Sequence, residues 1–276
     1  MPRAWVGTSG YDYDHWKHAF YPPEMPRKER LAFYARTYDT VELNNTFYNL
    51  AKLESVARWS RVTPKEFRFV AKGSQYITHR LRLKEPRQAL ERFLSPLERL
   101  GPKLAGFLWQ FPGHWKANPE RLRAFVTELQ ALSRREWWHA FEFRHGSWLH
   151  EPTFSILRDA DMPLVLTDMP FQVIVPGMVA RDIPRPVVTA PLTSQRLVYL
   201  RRHGPLGDFG GSYPQEMTDA DAQDARRWME EGRDVWAFFN NDPWAHAVGD
   251  ARRLDEALRP EGAPARASAR SSRLDA

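Results

Sequence analysis

Thr40-Val41-Glu42-Leu43-Asn44-Asn45-Thr46-Phe47-Tyr48 is the stretch on which the fold turns. Apolar and β-branched residues alternate with polar ones at period two, which predicts a strand over 40–48. Val41 and Leu43 fall on one face, and Glu42, Asn44 and Thr46 on the other. In an antiparallel sheet the polar face would meet water. In a parallel sheet covered on both sides it would not, and a carboxylate would then be buried to some purpose.

On either side of this stretch, strand and helix patterns alternate. Further strands are expected over 5–10, 67–72, 104–111, 138–144, 163–168, 197–204 and 235–242. Helices are expected over 27–38, 53–62, 86–100, 119–132, 151–160, 219–231 and 245–258. Ala89, Leu90, Phe93, Leu97 and Leu100 keep helical spacing, as do Leu122, Phe125, Val126, Leu129 and Leu132. Asn118 reads as a helix N-cap with Pro119 at the first helical position. Residues 75–79 read as a loop, and 169–195 as a long proline-rich connection.

This order predicts an α/β protein with a parallel sheet. Eight units in 276 residues predict a (β/α)₈ TIM-type barrel with an irregular sixth unit. The competitor is an open doubly wound sheet, but Gly7-Thr8-Ser9-Gly10 lacks the glycine spacing of its phosphate loop. One barrel is expected over 1–259 and a disordered Ala/Arg/Ser-rich tail over 260–276.

The chain is 42% hydrophobic and 13% aromatic, enough for a sizeable core, and has no cysteine for a disulfide or a thiolate metal site. No apolar run is long enough to span a bilayer and no signal core opens the chain, so a soluble, cytoplasmic protein is expected. The formal net charge of +6 admits an anionic partner, nucleic acid included, without specifying one.

In a barrel each strand turns alternate residues under the helices and inward. Val41, Leu43, Phe67, Phe69, Phe107, Trp109, Phe141, Phe143, Val198 and Leu200 suit the helix side. Glu42, Asn44, Lys72, Gln110, Glu142, Arg144, Asp168, Arg201, His203 and Asn240 take the other parity, each at the C-terminal end of its strand. That rim is where the fold carries its chemistry.

With those residues in view, the chain resembles the YecE-like family, known as domain of unknown function 72. The resemblance runs to about Leu258. It rests on Gly7-Thr8-Ser9-Gly10-Tyr11 with Trp16 and Phe20-Tyr21-Pro22, on Thr40 to Asn44 with Thr46-Phe47-Tyr48, and on Lys72 with Ile77-Thr78-His79. It continues through Gln110-Phe111-Pro112, Phe141-Glu142-Phe143-Arg144-His145 with Ser147-Trp148, Tyr199 to Arg201 with His203-Gly204, and Phe239-Asn240-Asn241. Asn49-Leu50 departs from the pattern, which has a proline after the Phe-Tyr pair. The resemblance implies a TIM-type barrel and no settled activity.

Glu42, Glu142, Asp168 and His203 are the expected catalytic acids and bases of a hydrolase or isomerase acting on a small polar or anionic substrate. Substrate contacts are expected from Tyr11, Trp16, Asn44, Tyr48, Lys72, His79, Gln110, Arg144, Trp148, Arg201 and Asn240, the cations gripping an anionic group and the aromatic rings stacking on a base or sugar ring. His79, His145 and His203 with the carboxylates lack any tight metal-ligand spacing, so no metal is assigned and no cofactor is identified. The alternatives are a nucleic-acid-binding or phosphodiester-processing barrel and a non-catalytic ligand-binding protein.

Overall fold

The computed structural model describes residues 1–169 and 190–259. Most of the connection expected over 169–195, and the tail from 260, lie outside the described residues. Within them, eight strands follow in order: β1 (Ala4–Thr8), β2 (Thr40–Leu43), β3 (Arg68–Lys72), β4 (Leu104–Gln110), β5 (Trp138–Glu142), β6 (Val165–Thr167), β7 (Leu197–Arg202) and β8 (Asp234–Phe239). Every pairing between them is parallel.

They form two four-stranded sheets, ordered β1-β8-β7-β6 and β2-β3-β4-β5. The sheets touch along two seams. At one, Ser9 bridges Glu42, and Gly10 N–H donates to the Glu42 carbonyl at 2.8 Å. At the other, Phe141 bridges Leu164, and Phe141 N–H donates to the Pro163 carbonyl at 2.9 Å. Gly7 permits the first seam, since a Cβ there would stand 2.4 Å from the Thr40 carbonyl oxygen.

The helices are α1 (Arg27–Tyr34), α2 (Asn45–Tyr48), α3 (Leu53–Val62), α4 (Arg87–Leu97), α5 (Pro119–Leu132), α6 (Glu151–Asp159), α7 (Gln215–Glu230) and α8 (His246–Leu258). Local chemistry explains their ends. The Asn118 side chain accepts from Arg121 N–H at 2.9 Å, and Pro119 opens α5 without wasting a donor. Leu122, Phe125, Val126 and Leu129 then bury the helix against the sheet. Among the described residues, no helix lies between β6 and β7 and none is long and apolar enough to cross a membrane.

Two apolar cores follow the alternation. The larger lies under the helices and holds Val41, Leu43, Phe69, Phe107, Trp109, Phe141, Val198 and Leu200. The smaller, filled from both sheets, holds Val70, Leu108, Ala140, Val165, Tyr199 and Phe238. Trp5 stacks on Trp236 at 5.0 Å between ring centres, and Trp138 lies against Trp236 at 5.1 Å, plugging the N-terminal end of this inner core.

Three expectations are corrected. The strand over 40–48 ends at Leu43, because Asn44 turns into helical dihedrals and α2 begins. Thr46 therefore leaves the Glu42 face, and its hydroxyl reaches the carbonyls of Leu43 and Lys72, each at 2.7 Å. Residues 76–80 form a wide helical turn rather than a loop. Asp168 has the opposite parity to that expected: Val165 belongs to the inner core and Leu164 to the helix-side core, so Thr167 points inward and Asp168 behind it.

Candidate functional site

At the C-terminal ends of the strands, Arg201 from β7 occupies the middle of the inner space, fully buried. Its Nε–H and one Nη2–H grip Glu42 of β2 at 3.1 and 2.7 Å. One Nη1–H donates to Glu142 of β5 at 2.6 Å and the other meets His203 Nε2 at 3.0 Å, while Nη2 also reaches Ser9 Oγ at 3.2 Å. Every N–H of the guanidinium thus has an acceptor. Glu42 takes two further donors, Ser9 Oγ–H at 2.8 Å and Tyr199 O–H at 2.6 Å. Arg144 Nε–H donates to the second oxygen of Glu142 at 2.7 Å.

The titration of these groups follows from that network. Burial pushes the Glu42 and Glu142 carboxyls up, but the charge and hydrogen bonds of Arg201 outweigh it. Both stay below the usual carboxylate range, Glu42 aided by Lys72 and Tyr199, Glu142 by Arg144 and His203. Burial holds the His203 imidazole below its usual value and hence neutral near pH 7. Accepting from Arg201 at Nε2 places its proton on Nδ1, 3.1 Å from Thr167 Oγ1. Asp168 accepts from the His203 backbone N–H at 2.8 Å and from the Tyr213 hydroxyl.

Above this network opens a cavity of about 680 Å³. Tyr11, Asn44, Tyr48, Lys72, His79, Gln110, Arg144 and Asn240 line it, as do Tyr13, Arg58, Phe209 and Asp242. The ammonium of Lys72, at the end of β3, makes no hydrogen bond or ion pair to any described residue and sits 4.5 Å from the centre of the Phe47 ring. Burial, with Arg201 close by, lowers its pKa to about 7 despite Glu42 and Glu142. Burial and the nearby Lys72 and Arg144 lower His79 to about 4, so it is neutral. Arg144 commits Nε to Glu142, and its two terminal nitrogens have no hydrogen-bond partner among the described residues. Asn44 Oδ1 is buried at the cavity wall without a donor among the described residues.

The structure revises several expected roles. Glu42, Glu142, Asp168 and His203 do not line the cavity, and their oxygens and nitrogens are spent on Arg201, Arg144, Thr167, Tyr199 and Tyr213. Arg201 is likewise sealed beneath it. Trp16 is fully buried in ring packing with Tyr13, Phe20 and Tyr21, its indole N–H on the Asp242 carbonyl at 2.9 Å. Trp148 stacks on Phe143 on the helix side and donates to the Trp115 carbonyl at 2.8 Å. These two rings seal loops and offer no face to a ligand. His145 accepts from Ser147 N–H at 3.1 Å in a tight turn. Among the described residues no three His, Asp or Glu side chains gather as a metal cage would require.

Residues missed from sequence include Ser9, Tyr199 and Thr167. Ser9 continues the inward parity of Trp5 and Gly7, and Tyr199 that of Arg201, so the signal was present in the alternation. Phe209 had no such signal; it reaches the cavity through the loop after β7. Gly204, with a φ of +98° and only 2.2 Å between a would-be Cβ and the Gly210 carbonyl oxygen, lets that loop fold back.

A family model described as "Protein of unknown function DUF72" matches residues 5–273. The chain belongs to the DUF72 family. The UPF0759 protein YunF of Bacillus subtilis is 25% identical over 281 residues, spanning 92% of this chain and 94% of that protein. The UPF0759 protein YecE of Escherichia coli is 32% identical over a 124-residue stretch, 45% of this chain and 42% of that one. A DUF72 family crystal structure from Thermotoga maritima superposes with a TM-score of 0.75 at 26% identity, covering 93% of this chain and 99% of that one. Another, from Enterococcus faecalis, gives 0.73 at 21% identity over 94% and 95% of the two chains, and speaks for the fold alone. DUF72 is a family of unknown function, so the reading of the site rests on its geometry.

Proposed function

We propose that this DUF72 protein is an enzyme of the isomerase or hydrolase type acting on a small anionic substrate in the cavity over Arg201. The observation that carries the reading is the charge balance at the cavity floor. Glu42 and Glu142 are matched by Arg201 and Arg144, which among the described residues leaves Lys72 with no carboxylate of its own. An anion seated on the unpaired terminal nitrogens of Arg144 would supply the missing partner, in the planar two-pronged geometry that guanidinium favours. Lys72, poised near neutrality, and the neutral His79 are then two groups facing substrate that can move protons. The Arg201 network acts from beneath by fixing Arg144 through Glu142.

The reading includes one closed (β/α)₈ ring as a single domain. Support comes from the two seams and from the inner core shared by both sheets. A site at the C-terminal ends of the strands is where such a ring holds its ligands.

The test is to denature protein purified under gentle conditions and identify by mass spectrometry any small molecule released in stoichiometric amount. The reading expects a carboxylate or phosphate compound, depleted in Arg144→Met protein. A neutral or cationic ligand retained equally by Arg144→Met would refute it.

A further inference from the structure

We propose that Lys72 is the nucleophile of this cavity, forming an imine with the carbonyl carbon of a substrate that also carries a carboxylate or phosphate. The proposal rests on the reading that the cavity takes a small anion. It names the substrate class, a small oxo acid or a phosphorylated aldehyde or ketone.

The chain itself supplies the contrast. Lys103 is a buried lysine with a structural task, its ammonium donating to the Ser60 carbonyl at 2.5 Å, the Thr63 carbonyl at 2.7 Å and Thr63 Oγ1 at 3.1 Å. Lys72 is half-buried, reaches the cavity, and has none of these acceptors among the described residues. Its backbone is fixed at the end of β3, where Thr46 holds the Lys72 carbonyl. The charged groups around it are Glu42 from β2, Glu142 and Arg144 from β5 and its continuation, Arg201 from β7, and the neutral His79 from the turn after β3. Both carboxylates are already held by arginine; they still favour the ammonium form, but burial with Arg201 outweighs them and brings the free amine into the neutral range. A desolvated lysine beside other cations is the usual way an amine becomes a nucleophile. Arg144 on the same wall offers its unpaired nitrogens to the substrate's anionic end.

The step balances without an oxidant or a cofactor. The Lys72 nitrogen lone pair forms the bond to the carbonyl carbon while the carbonyl π pair moves to oxygen. The nitrogen loses a proton and the oxygen gains one, giving a carbinolamine; His79, neutral and on the same cavity, is the group that relays it. A second proton on that oxygen lets it leave as water, and the nitrogen lone pair closes the protonated imine. That cation draws electrons from the neighbouring carbon, which suits isomerisation or cleavage next to the former carbonyl.

The test is reductive trapping at pH 7. The protein is incubated with glyoxylate, pyruvate or pyridoxal 5′-phosphate, reduced with sodium borohydride, and mapped by peptide mass spectrometry, with phosphate affinity measured in parallel by calorimetry. An ordinary lysine, with a pKa of about 10.4, is less than about 0.1% free amine at pH 7. Lysine is scarce in this chain, so the map resolves each one. The expected result is one dominant adduct at Lys72, lowered at least ten-fold by Lys72→Arg and by excess phosphate. Phosphate binding with no adduct, or with adducts spread over surface lysines, would overturn the amine chemistry and leave the anion site standing. Neither binding nor adduct would remove both.

Discussion

Arg201 illustrates how much a single side chain can organise. Its five N–H groups tie together β1, β2, β5 and β7 through Ser9, Glu42, Glu142 and its strand neighbour His203. Breaking one partner of a buried ion pair leaves the other charged without solvent, at a cost of about 3–5 kcal/mol. Glu42→Gln is therefore expected to lower unfolding free energy by about that amount, read by urea titration at pH 7. The pH dependence has a definite sign. Glu42 titrates below its unfolded value of ~4.3, so its contribution is whole above that pH and is lost as pH falls toward the lowered folded value. The wild type should thus lose stability on acidification more steeply than Glu42→Gln, and parallel curves would contradict the pairing. The alternation made the inward residues legible. It could not show that Glu42 and Glu142 were already committed, because their partner Arg201 lies 159 and 59 residues away along the chain.

At the scale of the element, the joint between β2 and α2 is the part that the sequence disguised. Period-two alternation continued past Leu43 into Asn44 and Thr46, yet a helical turn over Asn45–Tyr48 uses the same residues. The cause is tertiary: the Thr46 hydroxyl meets the carbonyl of Lys72 on the next strand, a contact invisible locally. Thr46→Val keeps the shape and deletes that hydroxyl, leaving the Leu43 and Lys72 carbonyls without it. A loss of about 1–3 kcal/mol is expected in thermal or chemical unfolding. No change in stability would show those carbonyls otherwise satisfied. Asn118 and Pro119 were legible beforehand because a helix N-terminus is decided by neighbours within one turn. Asp168 was misread because β6 is only three residues long, too short for parity to be carried with certainty to the residue after it.

For the whole molecule, counting strand–helix units was enough to give eight parallel strands, since each strand carries apolar residues of its own even where its ends are not marked. What counting could not give was the shape of the space above the strands. Loops that return to it, such as the one carrying Phe209, and rings such as Trp16 that seal it, follow from long-range packing. The proposed anion site in that space rests on Arg144 and Lys72, whose terminal nitrogens have no hydrogen-bond partner among the described residues. Calorimetric titration of inorganic phosphate into the wild type and into Arg144→Met tests it most directly. Loss of a charge-assisted bond worth about 1.5–3 kcal/mol predicts binding weakened at least about ten-fold in the variant. Equal affinity in the two proteins, or no binding to the wild type, would contradict the account.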